Sequence, residues 1–340
     1  MHKLLSFFVV ASLSTLGLMA QNATPAPADS AAQRRPRFQF DPLLPNAHDP
    51  VMAQGEDGRY YCFMTGMNVG VLSSVDMKEW RQEPSALPET PQWAMDTVPG
   101  YRGHTWAPDI SRHNNLWYLY YSCSTFGKNG STIGLAVNKS LDPKSPDFKW
   151  EDRGMVIASH RKKDNWNAID PNLIVTPEGQ PYLCYGSFWD GIQLVKLDPN
   201  DYQTVQTKPV TIARRVDKRL PNPGENAIEA PFIFYRDGYY YLFVSFDYCC
   251  KGENSTYKTV YGRSKSVEGP YVDDKGQQML YGGGTLLYGP DAENFGIGHC
   301  SVYEFQGQCY FVAHAYMKEK GGAAKLFIRP IQFNKNGWIK

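Results

Sequence analysis

Four acidic residues and one histidine occupy similar places in short motifs that lie far apart along the chain. The set is Asp49, Asp109, Asp170, Glu229 and His299, and a proline stands within two residues of each acid. A single Asp beside Pro is a common way to start a turn. Several carboxyl groups confined together raise one another's pKa, which points to chemistry or to a bound cation. One carboxylic acid and one carboxylate are the minimum for cleaving a glycosidic bond.

An internal repeat identifies the elements that must position these residues. Each of five copies has a polar or proline-containing start, a β-rich stretch, a turn and an aromatic strand, which together predict a β-hairpin. The copies recur roughly every 60 to 70 residues, and such self-similarity marks a repeat architecture. The five starts are His48-Asp49-Pro50, Ala107-Pro108-Asp109, Asp170-Pro171-Asn172, Glu229-Ala230-Pro231 and His299-Cys300-Ser301.

The rest of each repeat is long enough for two outer strands beyond the hairpin. Four strands in each of five copies predict an all-β fold, a five-bladed β-propeller with four-stranded blades around a central channel, over residues 38–340. A non-repetitive β-sandwich is the alternative. The innermost strand of each blade lines the axis of a propeller, so the five starts should converge at one mouth of the channel.

The first residues of the chain resemble a targeting segment. Lys3 is followed by an apolar run from residue 4 to 19 and by Ala20, the order of a secretory signal peptide over residues 1–20. An N-terminal membrane anchor is the alternative, but the run falls short of the roughly 20 apolar residues that a span needs. Residues 21–37 are rich in Ala and Pro and predict a flexible lead-in. We expect export to a periplasm or to the cell exterior.

Composition excludes several classes of protein. Aromatic residues make up 14% of the chain and charged residues 20%, which excludes intrinsic disorder. A net charge of +1 gives no broad field to attract nucleic acid or anionic lipid. The seven Cys are odd in number and irregular in spacing, so we predict buried thiols instead of a disulfide framework. The adjacent Cys249 and Cys250 could close only a strained vicinal disulfide, which we do not predict.

These motifs together resemble glycoside hydrolase family 43. The motifs that contain Asp49, Asp170 and Glu229 carry the family resemblance, and further sequence blocks resemble its endo-1,5-α-L-arabinanase branch. The resemblance extends from residue 46 to about residue 338. The branch-specific blocks are Ser124-Thr125-Phe126-Gly127, Tyr185-Gly186-Ser187-Phe188-Trp189-Asp190-Gly191, Phe246-Asp247-Tyr248-Cys249-Cys250-Lys251-Gly252 and Gly298-His299-Cys300-Ser301.

The resemblance implies a role for each carboxyl group. Asp49 matches the general base that activates water, and Glu229 matches the general acid that protonates the leaving oxygen. Asp170 matches a third carboxylate that tunes and orients the acid. The family inverts anomeric configuration, so the resemblance implies a secreted enzyme that cleaves internal α-1,5-L-arabinofuranosidic bonds of arabinan with inversion.

The resemblance also implies a cation and a sugar-binding surface. His299 matches the histidine through which arabinanases hold a metal, usually taken as calcium, with waters that complete its shell. Trp106 and Phe126 match aromatics that stack on arabinose rings, and Ser187 matches a substrate contact. Trp189 flanks an inner-strand motif, which makes it a further candidate for stacking.

Two other functions and one structural question stay open at this stage. An exo-acting arabinanase, an arabinofuranosidase or a β-xylosidase of the same family would share these motifs. A non-catalytic glycan-binding propeller would keep the aromatics but should lack an acid or a base. We expect a monomer with arabino-oligosaccharide as its partner. The segment that begins at Phe38 could add a strand to the last blade and so close the ring.

Overall fold

The computed structural model describes residues 40–340, so the predicted signal peptide (1–20) and lead-in (21–37) lie outside the described residues. Twenty β-strands and one six-residue α-helix, α1 (Gln92–Thr97), account for most of the regular structure in this part of the chain. Within residues 40–340 no helix is long and apolar enough to cross a membrane.

The strands form five antiparallel sheets that follow one another along the chain. The first has the order β1-β2-β4-β5, and the second has the order β3-β6-β7-β8-β9. Their strands are β1 (Val51–Gln54), β2 (Tyr60–Met64), β3 (Gly66–Met67), β4 (Gly70–Ser74), β5 (Arg81–Glu83), β6 (His104–His113), β7 (Leu116–Cys123), β8 (Ser131–Asn138) and β9 (Glu151–Ser159).

The remaining three sheets are simple meanders with the orders β10-β11-β12-β13, β14-β15-β16-β17 and β18-β19-β20. Their strands are β10 (Asn172–Val175), β11 (Pro181–Tyr185), β12 (Ile192–Lys196), β13 (Val210–Ala213), β14 (Ile228–Arg236), β15 (Tyr239–Phe246), β16 (Lys258–Ser264), β17 (Thr285–Tyr288), β18 (Asn294–Phe305), β19 (Gln308–Met317) and β20 (Ala323–Ile331). The predicted five-bladed propeller is confirmed, with one three-stranded blade and one blade enlarged by the short β3.

Tight turns join the first two strands of each blade, as the repeat predicted. In blades two, four and five both turn residues have positive φ, which is the type I′ geometry that matches the twist of a hairpin. These pairs are Asn114 and Asn115, Asp237 and Gly238, and Gln306 and Gly307.

The segment before blade one closes the ring. Asn46 forms a β-bridge with Lys325, and the Leu326 N–H donates to the carbonyl of Pro45 at 3.0 Å. The N-terminal segment thus lies along β20, the outer strand of the three-stranded blade. Contact through Pro45 and Asn46 therefore closes the ring a few residues beyond the predicted Phe38, by an isolated β-bridge instead of an added strand.

Hydrophobic side chains fill the space between neighbouring blades. Five buried clusters lie at the five blade-to-blade boundaries; the cluster between blades five and one, for example, joins Met52 and Trp80 to Val312. Tyrosines supply much of this packing, since nine of them rank among the largest fully buried side chains at the described positions: Tyr61, Tyr101, Tyr120, Tyr121, Tyr185, Tyr241, Tyr257, Tyr261 and Tyr271. Blades wedged together by aromatics hold the inner strands in fixed positions around the channel.

Candidate active site

Each blade enters the channel through a residue with a left-handed backbone. The five residues are Asp49 (φ 55°), Ala107 (41°), Asp170 (57°), Ala230 (55°) and His299 (49°). Four of them precede a proline in the sequence. A left-handed conformation is unfavourable for residues other than glycine, and it persists where the surrounding structure enforces it, often at functional sites.

A ring of hydrogen bonds enforces this conformation. The N–H of each left-handed residue donates to a side chain of the preceding blade, so five bonds run once around the channel mouth. The acceptors are His314 Nδ1 for Asp49 (3.1 Å), Thr65 Oγ1 for Ala107 (2.8 Å), Ser122 Oγ for Asp170 (3.0 Å), Asp170 Oδ2 for Ala230 (3.0 Å) and Ser245 Oγ for His299 (2.8 Å). The ring closes where the last blade meets the first.

Asp109 does not join the acids at the channel mouth. Ala107 is the residue of blade two that matches Asp49, while Asp109 lies in the next layer and accepts hydrogen bonds from Asn172 Nδ2 (3.1 Å) and the Leu173 N–H (2.8 Å). Its burial raises its pKa to about 7, although both hydrogen bonds lower it. Asp109 stands two positions after Ala107, and at that position its carboxyl group links blade two to blade three by hydrogen bonds.

The channel mouth opens into a cavity of about 1050 Å³. It brings together all eight residues predicted for the site, from all five blades and their loops. They are Asp49, Trp106, Phe126, Asp170, Ser187, Trp189, Glu229 and His299. A cleft of this size with a few converging polar groups is typical of a ligand site.

Asp49 is surrounded by hydrogen-bond donors. Its Oδ1 lies 2.9 Å from His48 Nδ1 and 3.0 Å from His299 Nδ1, and its Oδ2 accepts from Thr65 Oγ1 at 2.5 Å. Burial alone would raise the pKa of Asp49, but the two imidazoles hold that pKa well below its usual range. Asp49 is therefore the ionised carboxylate of the cavity.

The pKa of Glu229 is shifted in the opposite direction from that of Asp49. Burial and the negative charge of Asp49 raise its pKa, against the lowering effect of two hydroxyl donors. These donors are Ser187 Oγ to Oε2 at 2.8 Å and Tyr257 Oη to Oε1 at 2.9 Å. Glu229 is therefore the carboxyl group that retains its proton more readily, and its position within that cage is fixed.

Asp170 is the third buried carboxyl group of the cavity. Burial and the neighbouring carboxyl groups of Glu229 and Asp49 raise its pKa to about 8, while His299 lowers it. Its Oδ2 accepts the N–H of Ala230, the residue that follows Glu229. Asp170 is thus coupled to Glu229 in two ways, through the interaction between the two carboxyl groups and through the backbone of Ala230.

His299 balances the negative charge of the cavity. Burial disfavours its charged form, but Asp49, Asp170 and Glu229 raise its pKa to about 9. Its Nδ1 is committed to Asp49, so Nε2 is the nitrogen that could ligate a cation, once it has lost its proton.

The aromatic residues form the walls of the cavity. Phe126 is 78% exposed, which is unusual for a large apolar side chain and typical of a ligand groove. Trp106 donates its Nε1–H to His104 Nδ1 at 2.9 Å, which fixes the plane of the indole ring. Trp189 follows Phe188 in a loop with positive φ at both residues, and Asn226 Nδ2 donates to the Trp189 carbonyl at 3.0 Å.

Several residues of the site were not predicted from the sequence. Tyr257, His314 and Tyr316 lie behind the acids, and the side chains of Cys249 and Cys250 line the cavity. The two cysteines form a vicinal disulfide, which the sequence allowed but which we did not predict. The other five cysteines are buried free thiols, as predicted: Cys62, Cys123, Cys184, Cys300 and Cys309.

Comparison with known proteins identifies the family. The family model for glycosyl hydrolases family 43 matches residues 41–339. The chain belongs to this family. It is 44% identical to the extracellular exo-α-(1→5)-L-arabinofuranosidase of Cellvibrio japonicus, over 86% of this chain and 85% of that protein. It is 41% identical to the extracellular endo-α-(1→5)-L-arabinanase 1 of Bacillus subtilis, over 86% of both chains.

Solved structures of family 43 enzymes agree with the fold of this chain. An exo-1,5-α-L-arabinanase from a bovine ruminal metagenomic library superposes with a TM-score of 0.86 at 61% identity, covering 88% of this chain and 98% of that one. The Cellvibrio cellulosa α-L-arabinanase complexed with arabinohexaose gives a TM-score of 0.83 at 42% identity, covering 87% and 95%. The family 43 hydrolase is thus similar over its propeller to enzymes of both names.

Proposed function

We propose that this family 43 hydrolase cleaves α-1,5-L-arabinofuranosidic bonds of arabinan and inverts the anomeric centre. The observation that carries the proposal is the opposite displacement of two pKa values in one cavity, down for Asp49 and up for Glu229. Hydrolysis of a glycosidic bond needs one ionised and one protonated carboxyl group. The names of the relatives supply the sugar and the linkage.

In this mechanism Glu229 donates its proton to the oxygen that leaves the anomeric carbon. Ser187 and Tyr257 hold both oxygens of the carboxyl group, so the acid keeps its direction during proton transfer. Their hydrogen bonds also favour the carboxylate that forms when the proton has gone.

Asp49 takes a proton from the water that attacks the anomeric carbon. Its three hydrogen bonds occupy three of about four acceptor sites of a carboxylate. One site on Oδ2 is left for the attacking water. Glu229 and Asp170 are coupled, so that ionisation of either carboxyl group raises the pKa of the other, and Asp170 also holds the backbone of Ala230.

We propose that His299 holds a cation, with calcium as the expected ion. The residues present fit this role, since three buried acids surround one imidazole whose Nδ1 is oriented by Asp49. His48, Asp49 and His314 also lie close together, but His314 Nδ1 already accepts the Asp49 N–H and offers no lone pair. A bound cation would neutralise part of the charge of the acids.

The position of cleavage along the polymer is a separate question. Internal cleavage was predicted from the sequence motifs and stays a prediction. The relatives at 61% and 44% identity carry the name exo, which favours release from a chain end as the second candidate. Both candidates use the same acid and base.

The names of the relatives support one further proposal. We propose that the enzyme is exported, because both relatives are named extracellular and a signal peptide is predicted. Action as a monomer stays a prediction.

Incubation with linear, debranched α-1,5-arabinan tests the function. Chromatography of early products separates a ladder of oligomers, expected for internal cleavage, from one short product, expected for chain-end release. Proton NMR of the first product gives the anomer, and the β-anomer is expected for inversion. Absence of hydrolysis on linear arabinan and arabinohexaose would overturn the proposal, and an initial α-anomer would overturn inversion.

A further inference from the structure

We propose that Tyr316 is a positioning residue for hydrolysis, because its hydroxyl fixes the proton of His48 on Nδ1, where it holds the carboxylate of Asp49. The proposal rests on the proposed function in that Asp49 is taken as the base. Tyr316 is buried in β19, behind the cavity, and does not line it.

Three nitrogen atoms surround the Tyr316 hydroxyl. The Cys250 N–H lies 2.7 Å from the oxygen, His48 Nε2 lies 2.9 Å away, and His314 Nε2 lies 3.2 Å away. A phenol oxygen has one hydrogen to donate and two lone pairs to accept with. The three contacts are therefore all satisfied only if two of the nitrogens donate and one accepts.

The backbone of Asp49 decides which nitrogen accepts. The Asp49 N–H donates to His314 Nδ1 at 3.1 Å, so that nitrogen carries no proton and the proton of the neutral ring lies on Nε2. His314 Nε2–H and the Cys250 N–H both donate to Tyr316. The O–H of Tyr316 is then left for His48 Nε2, which must be the unprotonated acceptor.

The proton of His48 consequently lies on Nδ1 and points at Asp49. Nδ1 is 2.9 Å from Asp49 Oδ1, the oxygen that also receives His299 Nδ1–H. The opposite tautomer would turn a lone pair of His48 toward the carboxylate and repel it. Stacking of His48 on His314, at a centroid distance of 4.0 Å, prevents the ring from turning away. The network therefore leaves Asp49 one orientation.

The vicinal disulfide belongs to the same network. Cys250 has a left-handed backbone (φ 62°) within the Cys249–Cys250 link, and this turn aims its N–H at Tyr316. Its Sγ lies 3.9 Å from His48 Nε2, but as a disulfide sulfur it has no hydrogen to donate, so Tyr316 is the only donor of the two to that nitrogen. The backbone N–H of Cys250, oriented by the vicinal disulfide, thus binds one lone pair of the Tyr316 oxygen and leaves the Tyr316 hydroxyl hydrogen for His48.

Nitrogen NMR of the full-length mature enzyme labelled with ¹⁵N-histidine tests the proton assignment directly. At pH 7 the resonances that disappear in His48→Gln identify His48 in the wild-type spectrum. We expect a pattern of protonated Nδ1 and unprotonated Nε2. An Nε2–H tautomer or a doubly protonated ring in the wild type would overturn the proposal. This measurement needs no substrate, so it fails or succeeds independently of the proposed function.

Kinetics of Tyr316→Phe on arabinohexaose test the consequence. We expect kcat to fall about tenfold or more with KM changed less than about twofold, because a misplaced base slows the chemical step and leaves sugar contacts intact. Tyr271→Phe is the matched control, since its buried hydroxyl donates to the Val267 carbonyl at 2.8 Å far from the cavity, and its kcat should stay unchanged. A folded Tyr316→Phe with wild-type kcat, or with a loss confined to KM, would contradict the proposal.

Discussion

Tyr257 donates its hydroxyl proton to Glu229 Oε1 at 2.9 Å. The same tyrosine is fully buried, and its ring stacks on His314 at a centroid distance of 5.7 Å. His314 in turn accepts the N–H of Asp49. Tyr257 therefore hydrogen-bonds the proposed acid and packs against the histidine that holds the proposed base. The pKa of Glu229 is thus a balance between burial, which raises it, and hydroxyl donors, which lower it.

Replacement of Tyr257 by Phe should shift the high-pH limb of the kcat/KM profile upward. The Tyr257 hydroxyl favours the ionised form of Glu229, so its removal raises the pKa of the acid and keeps it protonated to higher pH. One such hydrogen bond corresponds to about half to one pH unit. Tyr241→Phe, which loses a hydroxyl bond to the Gly337 carbonyl, should leave the limb in place. A limb that stays put or moves downward in Tyr257→Phe contradicts this balance.

Asp170→Asn should move the same limb in the opposite direction. Asp170 and Glu229 titrate as a coupled pair in which ionisation of either group raises the pKa of the other, whereas Asn stays neutral and still accepts the Ala230 N–H. Glu229 should then lose its proton at lower pH, and the high-pH limb should move downward. Profiles of kcat/KM for both enzymes provide the comparison, and an unmoved limb would show that Asp170 does not tune the acid.

Exposure of Phe126 predicts a contribution to binding and none to chemistry. Truncation to Ala should raise KM about three- to tenfold at nearly constant kcat, because stacking on a sugar ring stabilises ground state and transition state alike. Leu43→Ala is the control, since Leu43 is 71% exposed but does not line the cavity. Steady-state kinetics on arabinohexaose decide the matter. A wild-type KM for Phe126→Ala would remove this side chain from the binding surface.

The number of free thiols in the protein can be measured by chemical labelling. Of seven cysteines, five are free and two form the Cys249–Cys250 disulfide. Iodoacetamide in denaturant without reductant should therefore label five cysteines, and labelling after reduction should reach seven. Mass spectrometry of the intact chain reads both numbers. Seven labels without reductant would mean that the vicinal pair is reduced in the purified protein.

The propeller and the acids were predictable because both repeat. Five copies of one hairpin pattern place Asp49, Asp170 and His299 at equivalent left-handed positions, and no long-range information is needed to align them. In blade two the repeat starts at Ala107, and Asp109 stands two positions later, an offset that is visible in the sequence. The structure shows its consequence, since Ala107 has the left-handed backbone and Asp109 lies in the next layer.

The residues behind the acids could not be predicted in the same way. Tyr257, His314 and Tyr316 act through pairing of strands that are distant in sequence, and each looks like one more buried aromatic in a tyrosine-rich chain. Ring closure depends similarly on the bridge between Asn46 and Lys325. The vicinal disulfide depends on the left-handed backbone at Cys250, which a sequence alone does not specify.

Hydrolysis of linear α-1,5-arabinan by Glu229→Gln tests the central claim most directly. Release of new reducing ends should fall about a thousandfold or more relative to the wild type, because Gln keeps the shape of the side chain but its amide has no acidic proton to transfer. Glu225→Gln changes another carboxyl group that lines the same cavity and should stay within about threefold of the wild type. Circular dichroism should show that all three proteins share one fold. Turnover by folded Glu229→Gln within tenfold of the wild type would contradict the assignment of Glu229 as the acid.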